Sequence, residues 1–395
     1  MSYIVGLNRD RDSYQVARAL AEVGELEELV TDYYVGVLPR EIPGLGHRQT
    51  PDIPPEKVTA SVRAFAAQLP YEVGRRLRPI DFPSRFVESA LGATIARVAR
   101  RAPDADLLLY SGSARQAFEG PSRGRRILFQ YHPSPQFIEQ TMVGLDELEG
   151  ARPWLQEAEV LSDDIAQVHA AEIARTEEAV CASSLTRAGL VADGLDPSTI
   201  TVVPYGCPDV HRVPLPSQSS TWRALFVGQG VQRKGLHLLL EAWRRAALPR
   251  AELTLVVNRF DPEIEAMAAG LSSVTVRSRL PREELDLTMA AADTLILPSL
   301  VEGFGLVLGE ALSKGSRLIA SNHTGLVDMG LPDEIASVVD AGQVAPLQAA
   351  LEAMADSYTP KRPYRDLAYE EAERLSWAGF RRGIREAVGL PGVLA

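Results

Sequence analysis

The chain has 395 residues, 46% of them apolar, and a mean hydropathy of −0.05; that is enough for two domains with full cores, and no apolar run approaches the length of a membrane span. A formal net charge of −11 and a pI near 5.2 argue against nucleic acid as a partner, because phosphate backbones demand clustered cations. Cys181 and Cys207 are the only cysteines and lack any CxxC or Cys/His pattern, so they read as buried free thiols rather than a disulfide or a metal site.

The start, MSYIVGLNRDRDSYQ, has neither a basic leader nor a long apolar core, so it reads as a first strand and loop of a cytoplasmic protein. Apolar runs of strand length then alternate with amphipathic helical patterns: YIVGL, LEELVTDYY, ADLLLYSG, RRILFQYH, EEAVCASS and TITVVPY. This is the βαβ rhythm of an open parallel sheet. Two stretches interrupt it. Residues 36–90 are rich in proline and arginine, and residues 145–178 carry many acids on a helical pattern; they read either as acceptor contacts or as ordinary surface insertions. Within the first, Arg75, Arg76, Arg78 and Arg85 lie among Leu77, Ile80, Phe82 and Phe86. Peripheral contact with a membrane is not favoured there, because Glu72, Asp81 and the prolines break any amphipathic helix.

After GCPDVHRVPLPSQSST the rhythm restarts with RALFVG, AELTLVV, VTVRSRL, DTLILPS and SRLIAS, which implies a second sheet of the same class. Two such domains facing each other place the carboxyl ends of both strand sets on one cleft, where open α/β sheets bind ligands.

The segment EGFGLVLGE carries the densest chemistry. Glu302 and Glu310 straddle a glycine-rich turn that opens a helix, directly after the apolar run TLILPS, which reads as a buried strand. Gly303 and Gly305 remove Cβ atoms where backbone must approach a ligand, and the N–H groups at the helix start can hold phosphate oxygens. The two carboxylates lie at most about 12 Å apart along a helix rising roughly 1.5 Å per residue, the span of a nucleotide sugar. One can accept hydrogen bonds from sugar hydroxyls and the other from ribose, with a diphosphate between them. Taken singly, each reads as an ordinary helix acid.

A nucleoside diphosphate leaving a sugar builds negative charge on its β-phosphate, which a metal or fixed cations must neutralise. A DxD-like string, Asp104 and Asp106 in PDADLLLY, leads into an apolar strand and suits a turn or cap better than a metal. Neutralisation therefore falls to Lys234, at the start of the helix GLHLLLEAW. Gly228 and Gly230 begin a dinucleotide fingerprint that fails at its third glycine, where Arg233 stands. His132 ends the strand of LFQYHPSP, and Pro133 and Pro135 fix the loop after it; a neutral imidazole there suits hydrogen bonding, although a lone histidine is more often structural. His323 in SNHTGL reads as a donor contact or an ordinary turn.

Together these stretches resemble the retaining glycosyltransferases of family 4. PSLVEGFGLVLGEALSKG is similar to the family's donor-site motif, and RALFVGQGVQRKGLHLLLEAW to its phosphate-binding strand, loop and helix. EEAVCASSLTRAGL followed by STITVVPYGCPD resembles its last amino-terminal strand and linker, and LSWAGFRRGIREAV its closing helix. The second half of the chain is well covered and the first half thinly. The resemblance implies an α/β protein of GT-B fold: two Rossmann-like doubly wound domains facing a central cleft, residues 1–206 and 207–376, with 377–395 crossing back. It implies transfer of a sugar from a nucleotide diphosphate sugar to an acceptor hydroxyl with retention, without a metal or other cofactor. The base stays open among uridine, guanosine, adenosine and thymidine, with UDP or GDP preferred.

By the same resemblance, the donor contacts are Gln229, Gly230, Arg233, Lys234, Glu302, Gly303, Phe304, Gly305 and Glu310, with backbone near Arg279 and Leu280 at the base. His132 lies beside the reacting carbon, Glu302 positions the sugar, Lys234 holds the leaving charge and Glu310 holds ribose. Two positions depart from the pattern. Gln229 stands where an arginine is common, with Arg233 a candidate substitute, and the first loop, NRDRDSYQ, lacks the family's adjacent glycines, leaving Arg9 or Arg11 to reach phosphate or the loop to shape the acceptor side. Two alternatives stay in view: a nucleotide-sugar epimerase on a related scaffold, with a base poised at the sugar ring, and, encouraged by these departures, a nucleotide-sugar-binding protein that has lost transfer.

Overall fold

The computed structural model describes residues 1–37, 45–74, 84–145, 163–212 and 219–390. Arg75, Arg76 and Arg78 of the arginine cluster, and residues 146–162 of the acid-rich segment, lie outside the described residues.

Strands β1 (Tyr3–Gly6), β2 (Leu26–Thr31), β3 (Val58–Ala60), β4 (Asp106–Tyr110), β5 (Arg126–Gln130), β6 (Glu178–Cys181) and β7 (Ile200–Val202) form one sheet in the order β3-β2-β1-β4-β5-β6-β7. A second sheet holds β8 (Trp222–Gly230), β9 (Ala251–Phe260), β10 (Val274–Arg277), β11 (Thr294–Leu297), β12 (Arg317–Ser321) and β13 (Ala336–Val339), ordered β10-β9-β8-β11-β12-β13. Every pairing is parallel. Helices cover both faces, so central strands such as β4 and β11 are buried at every residue and read as unbroken apolar runs. In each sheet the strand order reverses between the first strand and its neighbour, β1/β4 and β8/β11, opening the crevice where doubly wound sheets take ligands.

The strand rhythm in the sequence anticipates eleven of these strands and misses β3 and β13. Both are edge strands, of three and four residues; unlike the equally short edge strands β7 and β10, β3 lies within the irregular, proline-rich stretch 36–90 and β13 follows the acidic turn PDE, so neither is flanked by a longer apolar run.

The closing helix, Trp377–Ala387, returns to the first half. Arg381 donates to Gln15 Oε1 at 2.7 Å, and Arg385 to Glu22 Oε2 at 2.7 Å and to the Ala19 carbonyl at 3.4 Å. Where the chain leaves the first sheet, Cys207 N donates to the Leu375 carbonyl at 2.6 Å. A Cβ on Gly206 would lie 2.6 Å from the Trp377 backbone, so only glycine lets the outgoing and returning segments touch. Tyr205 packs there with Trp377, Phe380 and Phe304, ring centroids 5.7, 5.3 and 5.5 Å away. Among the described residues no helix is long and apolar enough to cross a membrane.

Candidate active site

Strand β8 runs into a single 3₁₀ turn, Gln232–Lys234, and then the helix Leu236–Ala246. Gly235 joins them at φ 68°, and a Cβ there would sit 1.9 Å from the Pro298 carbonyl oxygen; this glycine lets the turn lie directly on the chain leaving β11. Leu300 N donates to the Arg233 carbonyl at 2.8 Å, locking the two loops. Lys234 thereby reaches Glu302, and Nζ donates to Oε2 in a short ion pair.

Glu302 is only 8% exposed. Burial alone would raise its pKa, but the attraction of Lys234, then Arg233 and His132, outweighs it and holds the carboxyl at about 2. His132 faces this pair from the end of β5. Its Nε2 lies 3.4 Å from an Arg233 guanidinium nitrogen, and its Nδ1 lies 3.3 Å from the Pro133 carbonyl. That pattern assigns the neutral tautomer with the proton on Nδ1. Desolvation, reinforced by Arg233, lowers its pKa from 6.5 to about 4. Gln130 Nε2 donates to the His132 carbonyl at 2.6 Å and fixes the loop. Arg233 also donates to the Val301 carbonyl at 2.9 Å, so its side chain points into the cleft rather than to solvent.

The two glycines of the EGFG turn are required by protein contacts. A Cβ on Gly303 would lie 2.2 Å from the Tyr131 carbonyl oxygen, and one on Gly305, at φ 90°, would lie 2.6 Å from Leu297. The Gly303 carbonyl accepts from the Ser183 hydroxyl and, at 3.2 Å, from Thr186. Asp328 of the second half accepts from Ser184 N at 3.0 Å and from its hydroxyl. The turn carrying Glu302 is therefore pinned to the loops after β5 and β6. The SSLT segment behind these bonds was invisible in the sequence as a site feature, since hydroxyls before a helix look like simple caps.

The remaining candidates divide. Glu310, in the helix Leu306–Leu312, is met by Arg282 at 3.0 Å. Gln229 is exposed at the end of β8, and Gly230 is needed because a Cβ would lie 2.8 Å from Phe260. Arg279 is exposed at φ 55°, its N–H held by Asn258 Oδ1 at 2.9 Å, while Leu280 packs on the core. Phe304 is 3% exposed and edge-on to Tyr205, so its side chain belongs to the core and leaves only its backbone to face the cleft. His323 Nδ1 lies 2.7 Å from the Leu300 carbonyl, as an ordinary turn requires.

In the first loop, Arg9 N donates to Asp32 at 2.8 Å and its Nε to Gln68 at 3.1 Å, which ties it to the scaffold. Arg11 instead stacks 4.1 Å from the centroid of the Tyr131 ring and lines a crevice with Asn8, Glu88, Ser111 and Ser113. Asp104 pairs with Arg123 and Asp106 with Arg125, each at 2.8 Å. No cluster of three or more metal-ligating side chains occurs among the described residues.

A linkage prediction follows from His132. Its folded pKa lies below its unfolded value, so between about pH 6.5 and 4 the unfolded chain binds the extra proton and stability falls as pH falls. At pH 5 this amounts to about 1–2 kcal/mol, at 1.36 kcal/mol per pKa unit. Melting curves should show a smaller drop from pH 7 to pH 5 for His132→Gln than for the parent; equal drops would contradict the buried neutral imidazole.

A family model described as "Glycosyl transferases group 1" matches residues 209–373. The chain is 26% identical over 398 residues, 95% of each protein, to a 2-deoxystreptamine glucosyltransferase of Streptomyces kanamyceticus. It is 29% identical over 208 residues to the MMP alpha-(1->4)-mannosyltransferase of Mycolicibacterium hassiacum, a match that covers 51% of each, so this alignment spans about half of that relative. The solved structure of sucrose-phosphate synthase from Thermosynechococcus elongatus superposes with a TM-score of 0.66 at 16% identity over 96% of each chain, a likeness of fold.

Proposed function

We propose that this chain, which belongs to the group 1 glycosyltransferases of family 4 and moves a sugar from a nucleotide-sugar donor to an acceptor, grips the donor diphosphate with Lys234 and Arg233 and the sugar with Glu302. The observation that carries this reading is the meeting of Lys234, Glu302, Arg233 and His132 at one point of the cleft. The two cations stand where charge builds as the bond from the anomeric carbon to the β-phosphate oxygen breaks. In a retaining, front-face displacement the acceptor oxygen bonds to that carbon on the departing side, and its proton passes to the leaving phosphate oxygen. Neutral His132 accepts a hydrogen bond from a sugar hydroxyl at Nε2, in place of Arg233. Glu310 takes the ribose hydroxyls once Arg282 is drawn aside.

We place the domain boundaries at 1–206 and 207–376, with 377–395 crossing back, a division supported by the contact of Gly206 and Cys207 with the Leu375–Trp377 segment. UDP or GDP is the preferred nucleotide. For the acceptor we favour a small polyol, since the relative matched along 95% of both chains is named for 2-deoxystreptamine. The two free thiols, both buried, fit a reducing, cytoplasmic setting.

The test is transfer from UDP- and GDP-linked sugars to a polyol panel that includes 2-deoxystreptamine, run with and without excess EDTA. Turnover should persist in EDTA, because Lys234 and Arg233 supply the charge at the leaving group. Turnover that EDTA abolishes and Mg²⁺ restores would overturn the assignment to these cations, and donor hydrolysis or epimerisation without transfer would overturn the reaction class.

A further inference from the structure

We infer that the Lys234–Glu302 ion pair makes the site prefer the intact nucleotide sugar over the nucleoside diphosphate product, by depriving a buried carboxylate of its main counter-charge whenever product alone is bound. This rests on the reading of Lys234 as a phosphate ligand and of Glu302 as a sugar ligand.

Each member of the pair is the other's direct partner. Lys234 Nζ bonds Glu302 Oε2, while among the described residues Oε1 has only the long contact to the N–H of its own neighbour Gly303, 3.3 Å. Glu302 is 8% exposed, so water cannot replace a withdrawn ammonium, and a buried charge stripped of its partner is strongly disfavoured. A diphosphate that draws Lys234 away imposes that cost. With a sugar attached, its hydroxyls donate to Glu302 and offset the loss; after transfer they leave with the product sugar, and the cost returns. The pair thus weakens the product relative to the donor and speeds its release, with no domain motion required.

The sign of the effect separates this from simpler roles. If Glu302 only touched sugar, changing it would leave diphosphate affinity untouched; if it were only structural, affinity would fall. Here Glu302→Gln, which keeps the shape and removes the charge, should bind UDP or GDP about tenfold more tightly than the parent, and bind UDP-glucose or GDP-mannose more weakly. Glu302→Ala should change diphosphate affinity in the same direction, which guards against a glutamine-specific contact. Calorimetry on variants whose melting confirms folding provides the measurement. In a Lys234→Ala background the gain from Glu302→Gln should vanish, because no lysine remains to be released. Unchanged or weaker diphosphate binding in both Glu302 variants would overturn the inference. If Lys234→Ala alone keeps the parent's diphosphate affinity, the phosphate assignment itself fails, and with it the inference.

Discussion

Replacing His132 by alanine is expected to cut turnover by on the order of a hundredfold or more, comparable to losing one positioned hydrogen-bonding group in an active site, while affinity for nucleoside diphosphate stays nearly unchanged. The split follows from where each contact originates. On the proposed reading the phosphates and ribose fall to residues after β8 and in the helix Leu306–Leu312, whereas His132 follows β5 in the first half. A contact that strengthens as the bond to the departing phosphate stretches lowers the barrier without adding ground-state affinity. His132 also has the right protonation state: with a pKa near 4 it is neutral at pH 7 and presents a lone pair at Nε2. Steady-state kinetics and calorimetry on the folded variant check both halves of the expectation. Parental turnover would return His132 to a purely structural role.

Lys234→Ala should weaken UDP or GDP binding by on the order of tenfold to a hundredfold, the equivalent of roughly 1.5 to 3 kcal/mol for a charged hydrogen bond, and leave binding of the free nucleoside nearly unchanged. The lower part of that range is the better expectation, because the lysine already holds a partner in Glu302 and must exchange it for phosphate. The same variant should melt at lower temperature than the parent, since Glu302 then stays buried without its main counter-charge. Equal losses for the diphosphate and the nucleoside would move Lys234 off the phosphate site.

Much of the architecture was legible because parallel, doubly covered sheets write themselves as apolar runs between amphipathic helices. The restart of that rhythm after GCPDVHRVPLPSQSST announced the second sheet. The runs TITVVPY and VTVRSRL extend beyond the short edge strands β7 and β10 and so reveal them, whereas β3 and β13 have no such flanking run and leave no trace. In the site, Lys234, Glu302 and His132 were singled out by type and position, and the fold brings them together. Nothing local to Phe304 reveals Tyr205 packed behind it. At Gly303 and Gly305 the missing Cβ also makes room for Tyr131 and Leu297, partners distant in sequence or in the adjoining strand, which the local sequence does not show. Ser183, Thr186 and Asp328 could not be found at all, because their importance lies in which carbonyl or hydroxyl faces them across the cleft.

The side-by-side passage of the outgoing segment at Gly206–Cys207 and the returning one at Leu375–Trp377 has a mechanical meaning. A single tether between two bodies permits bending about two axes and twisting about a third. Two adjacent strands of chain, bonded through Cys207 N and the Leu375 carbonyl and wedged by the Tyr205, Trp377 and Phe380 rings, resist twist and one of the bends. Rotation about that crossing also meets the bonds that Ser183, Thr186 and Ser184 make to Gly303 and Asp328, so the crossing and these bonds together keep Glu302 opposite His132 and suppress lateral misalignment of the two halves.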